Sequence, residues 1–254
     1  MLTRIVSLEP SVTATLVALG QRGRLVGVSR YCHRLVDVAG LPELDTVWSV
    51  KAEEVAALSP DLVIAATPYQ AGRVDELLKA RLNVLCLYPQ SLADVYAHIH
   101  WLGRLCGVSG WAVSLVSRMQ MELAELQRQA QHHPRRRVYI EEWPKPLING
   151  APWIAEIVEL LGGEFVPGPA GRQVTEAEVI EADPEVIVLN WAGVEKIDPA
   201  RVLGRAGWEK VSAVQSRRVV AVKSILLNAP GPNLVEGAQQ LWQVLNGEKS
   251  ALKL

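Results

Sequence analysis

No charge of one sign dominates this chain: 26 Lys and Arg stand against 27 Asp and Glu over 254 residues. Apart from the short run Arg135, Arg136, Arg137 the cations are scattered, so nothing marks a surface for nucleic acid or an anionic membrane. A disulfide framework is missing too. Cys32, Cys86 and Cys106 form an odd set without paired spacing, and Cys86, inside the apolar run Val84 to Leu87, is expected to be a small buried hydrophobe. No apolar run approaches the roughly 20 residues that span a bilayer. Met1 to Leu8 lacks the charged start, apolar stretch and cleavage site of a secretory signal. The expectation is a cytoplasmic chain, or an extracytoplasmic one if a leader has been removed. Catalytic signatures are equally scarce, with no phosphate-binding glycine loop, no nucleophile elbow and no metal-ligand pair at helical spacing. His98 and His100, two residues apart on a helix, point to different faces. Glu141 and Glu142, adjacent at a strand end, do the same and make a poor cooperating pair. An enzyme is not expected.

What is present is a regular alternation. Short apolar runs bounded by turn residues alternate with amphipathic stretches, the pattern of parallel strands joined by helices. The first half offers Arg4 to Leu8, Leu25 to Val28, Leu62 to Ala65 and Val84 to Leu87 as strands. The second offers Arg137 to Ile140, Glu164 to Val166, Val186 to Leu189 and Val219 to Val222. An internal repeat links the halves: the segment from Lys51 to Ala65 answers that from Thr175 to Leu189, with Glu54 on Glu178 and Pro60 on Pro184. Each copy reads as a short helix, a proline that stops it, and a buried strand. Thr175 with Glu178 forms a capping box, and Gly20 and Gly163 close the helices upstream of the repeats. Two copies imply two similar lobes. Between them, Trp111 to Ala130 carries Leu115, Met119, Leu123 and Leu126 at helical spacing with no breaker. The expected fold is therefore α/β, with two lobes, each a central mostly parallel sheet flanked by helices, joined by one long connecting helix. The expected boundaries are 1–90, 91–134 and 135–254.

Open parallel sheets bind ligands at the carboxyl ends of their strands. The loops there hold Glu9, then Tyr31, Cys32 and His33, then Thr67, Pro68 and Tyr69, then Tyr88, then Glu141 to Trp143, then Asn190 and Trp191. Trp48 precedes the first repeat helix and Trp153 begins a helix in the second half. This aromatic, amide-rich set suits a broad ligand with stackable faces. Each of these tryptophans is also the residue type that packs cores, and Trp101, Trp111, Trp208 and Trp242 are expected to be structural. His33, next to Tyr31 and Cys32 in one loop, is the candidate axial ligand to a cobalt or iron centre.

Several ordered motifs carry a resemblance: Arg4-Ile-Val-Ser-Leu-Glu-Pro-Ser-Val-Thr, Ala18-Leu-Gly, Leu25-Val-Gly-Val-Ser, Leu58-Ser-Pro-Asp-Leu-Val-Ile-Ala, Ile157-Val-Glu-Leu-Leu-Gly-Gly and Pro230-Gly-Pro. Together they resemble the helical-backbone substrate-binding proteins of cobalamin and siderophore ABC importers, above all the cobalamin-binding branch. The resemblance implies a corrinoid, such as cobalamin, held between aromatic walls in a cleft between the lobes. It assigns ligand-facing positions to Tyr31, the Trp48 neighbourhood, the Ala66 to Tyr69 loop and the Trp143 to Leu147 loop. The chain departs from the family's pattern at three points: no leader or lipid-anchoring cysteine is visible, Asn233 replaces an arginine after Pro-Gly-Pro, and Ala71 and Ala177 occupy the places of the glutamates that dock on the membrane subunits. The expected function is non-enzymatic corrinoid binding inside the cell for storage, delivery or sensing. The alternatives are the substrate-binding subunit of a cobalamin, haem or siderophore importer, and an enzyme modifying a corrinoid or other tetrapyrrole.

Overall fold

A computed structural model describes residues 3–46, 48–66 and 71–246, with the backbone alone at 66, 71 and 72. Tertiary contacts divide the chain into two units, Met1–Met119 with Ala229–Asn233, and Gln120–Asn228 with Leu234–Leu254. The first boundary falls inside a 22-residue helix, so the connecting helix belongs half to each unit.

Unit 1 opens with β1 (Ile5–Ser7), α1 (Pro10–Ala18), β2 (Leu25–Ser29), β3 (Glu43–Leu44), α2 (Ala52–Ala57), β4 (Leu62–Ala66), α3 (Ala71–Lys79) and β5 (Val84–Leu87). Helices α4 (Leu92–Leu105) and the first half of α5 (Ser109–Ala130) follow. The five strands pair in parallel in the order β3-β2-β1-β4-β5. Parallel strands covered by helices bury both faces, which is why the central ones read as apolar runs instead of alternating. Their core joins Val6, Leu8, Val55, Val63 and Leu77, all close to fully buried. Helix α1 begins with proline at its first position, where the missing N–H costs nothing, and is followed by Gly20, whose φ of 71° glycine adopts without the strain a Cβ brings. Between α4 and α5 the backbones approach so closely that a Cβ on Gly103 would meet that of Ala112 at 2.5 Å.

Unit 2 contains β6 (Arg137–Pro144), β7 (Leu147–Asn149), α6 (Pro152–Leu160), β8 (Glu164–Phe165), α7 (Glu176–Ala182), β9 (Val186–Leu189), α8 (Ala200–Leu203), α9 (Ser212–Gln215), β10 (Val219–Ala221), α10 (Ser224–Asn228) and α11 (Leu234–Asn246). Its sheet runs β10-β9-β6-β7, with β8 pairing the start of β6 on the side where β7 pairs its end. The core surrounds Trp208 and Tyr139, both fully buried, with ring centroids 6.2 Å apart.

The repeat extends well beyond the matching sequence. Ile5 pairs Leu62 as Val138 pairs Val186, which makes β1 the counterpart of β6 and β4 that of β9. Ser59 and Asp183, at the same step of the two copies, close α2 and α7 with positive φ of 46° and 42°. Arg4 donates from Nε to the Ser59 carbonyl at 2.9 Å, and Arg137 does the same to the Asp183 carbonyl at 2.8 Å. Thr175 and Glu178 form the expected capping box.

Some expectations fail for physical reasons. Cys86 is exposed because β5 is an edge strand covered on one face only. Trp101 and Trp111, expected to be structural, are 47% and 65% exposed, since α4 and α5 bury the opposite faces around Leu102 and Ala112. The antiparallel hairpin of β6 and β7 carries no sequence signal, because only Lys145 and Pro146 lie between the strands, with no turn of the usual Asn-Gly kind.

Candidate functional site

In each sheet the first strand lies inside and the chain leaves it in both directions, so the carboxyl end of that strand sits at a topological switch point, where ligands to open sheets bind. In unit 1 this end carries Leu8, Glu9 and the start of α1, flanked by the loop after β2. Beneath it lies a polar network. Thr13 donates from its hydroxyl to Ser7 Oγ at 2.8 Å, and the Cys32 thiol lies 3.1 Å from Thr13 Oγ1 and 3.3 Å from Ser29 Oγ. Cys32 is fully buried, and burial pushes its thiol above the ordinary range. It is a packing residue of this loop rather than a ligand wall.

The neighbouring loop residues differ from it. His33 is exposed. Tyr31 is half-buried, with the guanidinium of Arg34 4.5 Å and that of Arg30 5.3 Å from its ring centre. Trp48 is 53% exposed, and its carbonyl accepts from Arg73 Nε at 3.0 Å, which ties the loop to α3. Tyr88, just past β5, is 54% exposed. Thr67, Pro68 and Tyr69 lie outside the described residues. A shallow cavity elsewhere in this unit, lined by Ser11, Thr15, Leu87, His98 and Pro230, encloses about 280 Å³ including open solvent.

Unit 2 presents Glu141, Glu142 and Trp143 at the end of β6, with Asn190 and Trp191 at the end of β9. Glu141 is completely buried and receives Arg205 NH1 and NH2 at 2.8 and 2.9 Å and Trp191 Nε1 at 3.0 Å. Arg205 in turn lies 4.3 Å from the Trp208 ring centre. This network anchors Trp191, 4% exposed, in the core, so Trp191 is not a ligand wall. Asn190 is also buried, donating from Nδ2 to Asn228 Oδ1 while its carbonyl accepts from Asn228 Nδ2 at 3.0 Å. It locks β9 to α10. Trp153 is half-buried and donates from Nε1 to the Leu227 carbonyl at 2.8 Å. Trp143, by contrast, is 41% exposed, with its indole N–H held by the Lys145 carbonyl at 2.9 Å and its ring free to stack.

The model of the family described as periplasmic binding protein matches residues 5–226. The chain belongs to the periplasmic binding protein family. An uncharacterised ABC transporter substrate-binding lipoprotein of Bacillus subtilis is 29% identical, over 94% of this chain and 78% of the relative. A vitamin B12-binding protein of Pectobacterium atrosepticum is 26% identical, over 95% of this chain and 88% of the relative. Among solved structures, a periplasmic haem-binding protein of Pseudomonas aeruginosa superposes with a TM-score of 0.83 at 23% identity, covering 96% of this chain and 93% of that one, and so shares the fold.

Among the described residues no group of three His, Cys, Asp or Glu is placed to bind a metal. No helix of the described residues is long and apolar enough to cross a membrane. Arg205 escaped sequence reading altogether. A carboxylate after Tyr139-Ile140 in a buried strand requires a cation, but only the fold selects which one.

Proposed function

We propose that this protein binds a corrinoid without transforming it, through the loops at the carboxyl ends of its sheets. The observation that carries the reading is the near full-length similarity to a vitamin B12-binding protein. The exposed rings of Trp48, Tyr88 and Trp143 supply the flat apolar faces that a corrin ring requires. Tyr31 is a further contact in unit 1, Thr67, Pro68 and Tyr69 are contacts by the resemblance alone, and the exposed imidazole of His33 is the axial ligand for the cobalt of an aquated corrinoid. Buried Cys32, Asn190 and Trp191 shape the loops from beneath.

A second observation favours delivery to an importer over storage within the cell: the Bacillus relative is named as a substrate-binding lipoprotein of an ABC transporter. That role places the protein outside the cytoplasm. Ala177, exposed on the first turn of α7, stands where the resemblance expects a docking glutamate, and exposed Glu176 is the adjacent acidic group. Ala71 starts α3, and its side chain lies outside what is described.

The test is a calorimetric and spectroscopic titration of the purified protein with cyanocobalamin and aquocobalamin, with haemin and a ferric siderophore as competitors. One-to-one corrinoid binding supports the reading. Uptake of a competitor alone keeps the fold and overturns the ligand.

A further inference from the structure

Arginines gather at the amino edge of the unit 2 sheet, the end away from the loops assigned to the ligand. Arg135, Arg136 and Arg137 lead into β6, and Arg217 and Arg218 lead into β10. The acids beside them are occupied. Glu159 takes Arg135 at 2.7 Å, and Asp183 and Glu185 both take Arg137, at 3.1 and 3.7 Å. Asp183 is filled further by the N–H and the hydroxyl of Ser212, each at 2.8 Å. Arg136 and Arg218 are left over. Neither guanidinium donates a hydrogen bond or joins an ion pair among the described residues, and both side chains are half-buried, with Arg136 Nε and Arg218 Nη1 shielded from solvent and without an acceptor.

The pleat of the sheet brings these two together. Both lie in the ladder, since the Arg136 carbonyl accepts from the Glu164 N–H at 2.8 Å and the Arg218 carbonyl from the Ile187 N–H at 2.9 Å. The register sets Val138 beside Val186 and Val219 beside Ile187, so Arg136, Val138, Val186 and Arg218 share one face, and Arg137 and Glu185 the other. The first face is the one that α6 covers, because a Cβ on Gly163 would meet both Val158 and Val138. Burial, and after it the charge of Arg136, pushes the Arg218 guanidinium below its ordinary range, while Glu185 pulls it back. A shielded donor without an acceptor is destabilising, and a second cation on the same face adds repulsion.

We propose that Arg136 and Arg218 form a binding site for a doubly charged oxyanion of the phosphate class. Five residues of β6 separate Arg136 from Glu141, about 16 Å of extended strand, so the site is distinct from the carboxyl end of the sheet. Corrinoid binding there neither requires nor excludes it. A guanidinium presents paired donors in a fixed fork that matches phosphate oxygens. The two residues flank β9, from β6 on one side and β10 on the other. A tetrahedral dianion offers oxygens in both directions and one negative charge for each cation, whereas a monocarboxylate has two oxygens in one plane and a single charge.

The test titrates inorganic phosphate into the full chain by calorimetry, at constant ionic strength set with chloride, and follows the thermal midpoint in parallel. The wild type should bind one phosphate and gain in midpoint over chloride, with sulfate competing and acetate not. Arg136→Gln and Arg218→Gln should each weaken binding at least tenfold, and Arg218→Lys, which keeps the charge and spares the fold, severalfold. Vesicles of phosphatidic acid, beside phosphatidylcholine controls, tell a headgroup from the free ion: capture by the former alone, lost in both Gln variants, keeps the pair as a phosphate site with lipid as the source. Silence of the wild type towards inorganic phosphate and phosphatidic acid alike, which needs no variant to fold, overturns the site. So does phosphate binding that both Gln variants leave unchanged, and equal competition by acetate overturns the dianion.

Discussion

Arg205→Met would remove the partner of a carboxylate that water does not reach. In unit 2 the Glu141 side chain is 0% exposed and that of Arg205 17%, and the pair is bidentate. Breaking a buried pair from one side typically costs about 3–5 kcal/mol, because the remaining charge is left uncompensated. The residual exposure of Arg205 lets solvent screen part of the interaction, so we take the lower end, about 3 kcal/mol. For a domain of this size that corresponds to a fall in Tm of about 6–12 °C. Denaturant titrations followed by tryptophan fluorescence read this directly, with Trp191 and Trp208 beside the change. The double variant Glu141→Leu/Arg205→Met should recover most of the loss and keep a deficit of about 1 kcal/mol, since the Trp191 N–H loses its acceptor. A loss for Arg205→Met below about 1 kcal/mol would refute the view of Glu141 as a sealed charge.

Four further outcomes follow from the same geometry. Trp48→Ala and Trp143→Ala should each weaken cyanocobalamin binding more than tenfold, about 1.4 kcal/mol or more by calorimetry, and unchanged affinity in both would refute their role as ligand walls. His33→Ala should abolish the spectral shift of aquocobalamin on binding while cyanocobalamin, whose axial position is filled, still binds. Thr175→Ala, which breaks the capping box on α7, should lower stability by about 1 kcal/mol in urea titrations. Glu178, held down to about 2 by Arg172 and the Thr175 amide, contributes stability that is complete above its unfolded value and lost as pH falls towards 2, so Glu178→Gln should flatten the acid limb of the unfolding midpoint.

The strand-and-helix order, the repeat around Pro60 and Pro184 and the capping box were all legible in the sequence, because each depends on local patterns: apolar runs, a proline stop, a Thr and a Glu three residues apart. The register equivalence of Arg4 with Arg137 was not, since those residues share neither flanking sequence nor the offset of the repeat. It became visible only through their matching bonds to Ser59 and Asp183.

Position at the carboxyl end of a strand nominated Cys32, Trp143, Asn190 and Trp191 alike, because sequence order places a loop but not the direction of a side chain within it. Tertiary packing then separated them. Cys32 turned inward to the hydroxyls of Thr13 and Ser29, Trp191 to the Glu141 carboxylate and Asn190 to Asn228, while Trp143 kept its ring in solvent. The same holds for the acids. Adjacent in sequence, Glu141 and Glu142 point to opposite faces of β6, and that pleat alone gives one a buried arginine and leaves the other nearly unpaired. Sequence by itself determined the architecture and the family. Which polar groups are consumed by the core and which remain for a ligand was decided by contacts between residues as far apart as 64 positions, which no local pattern encodes.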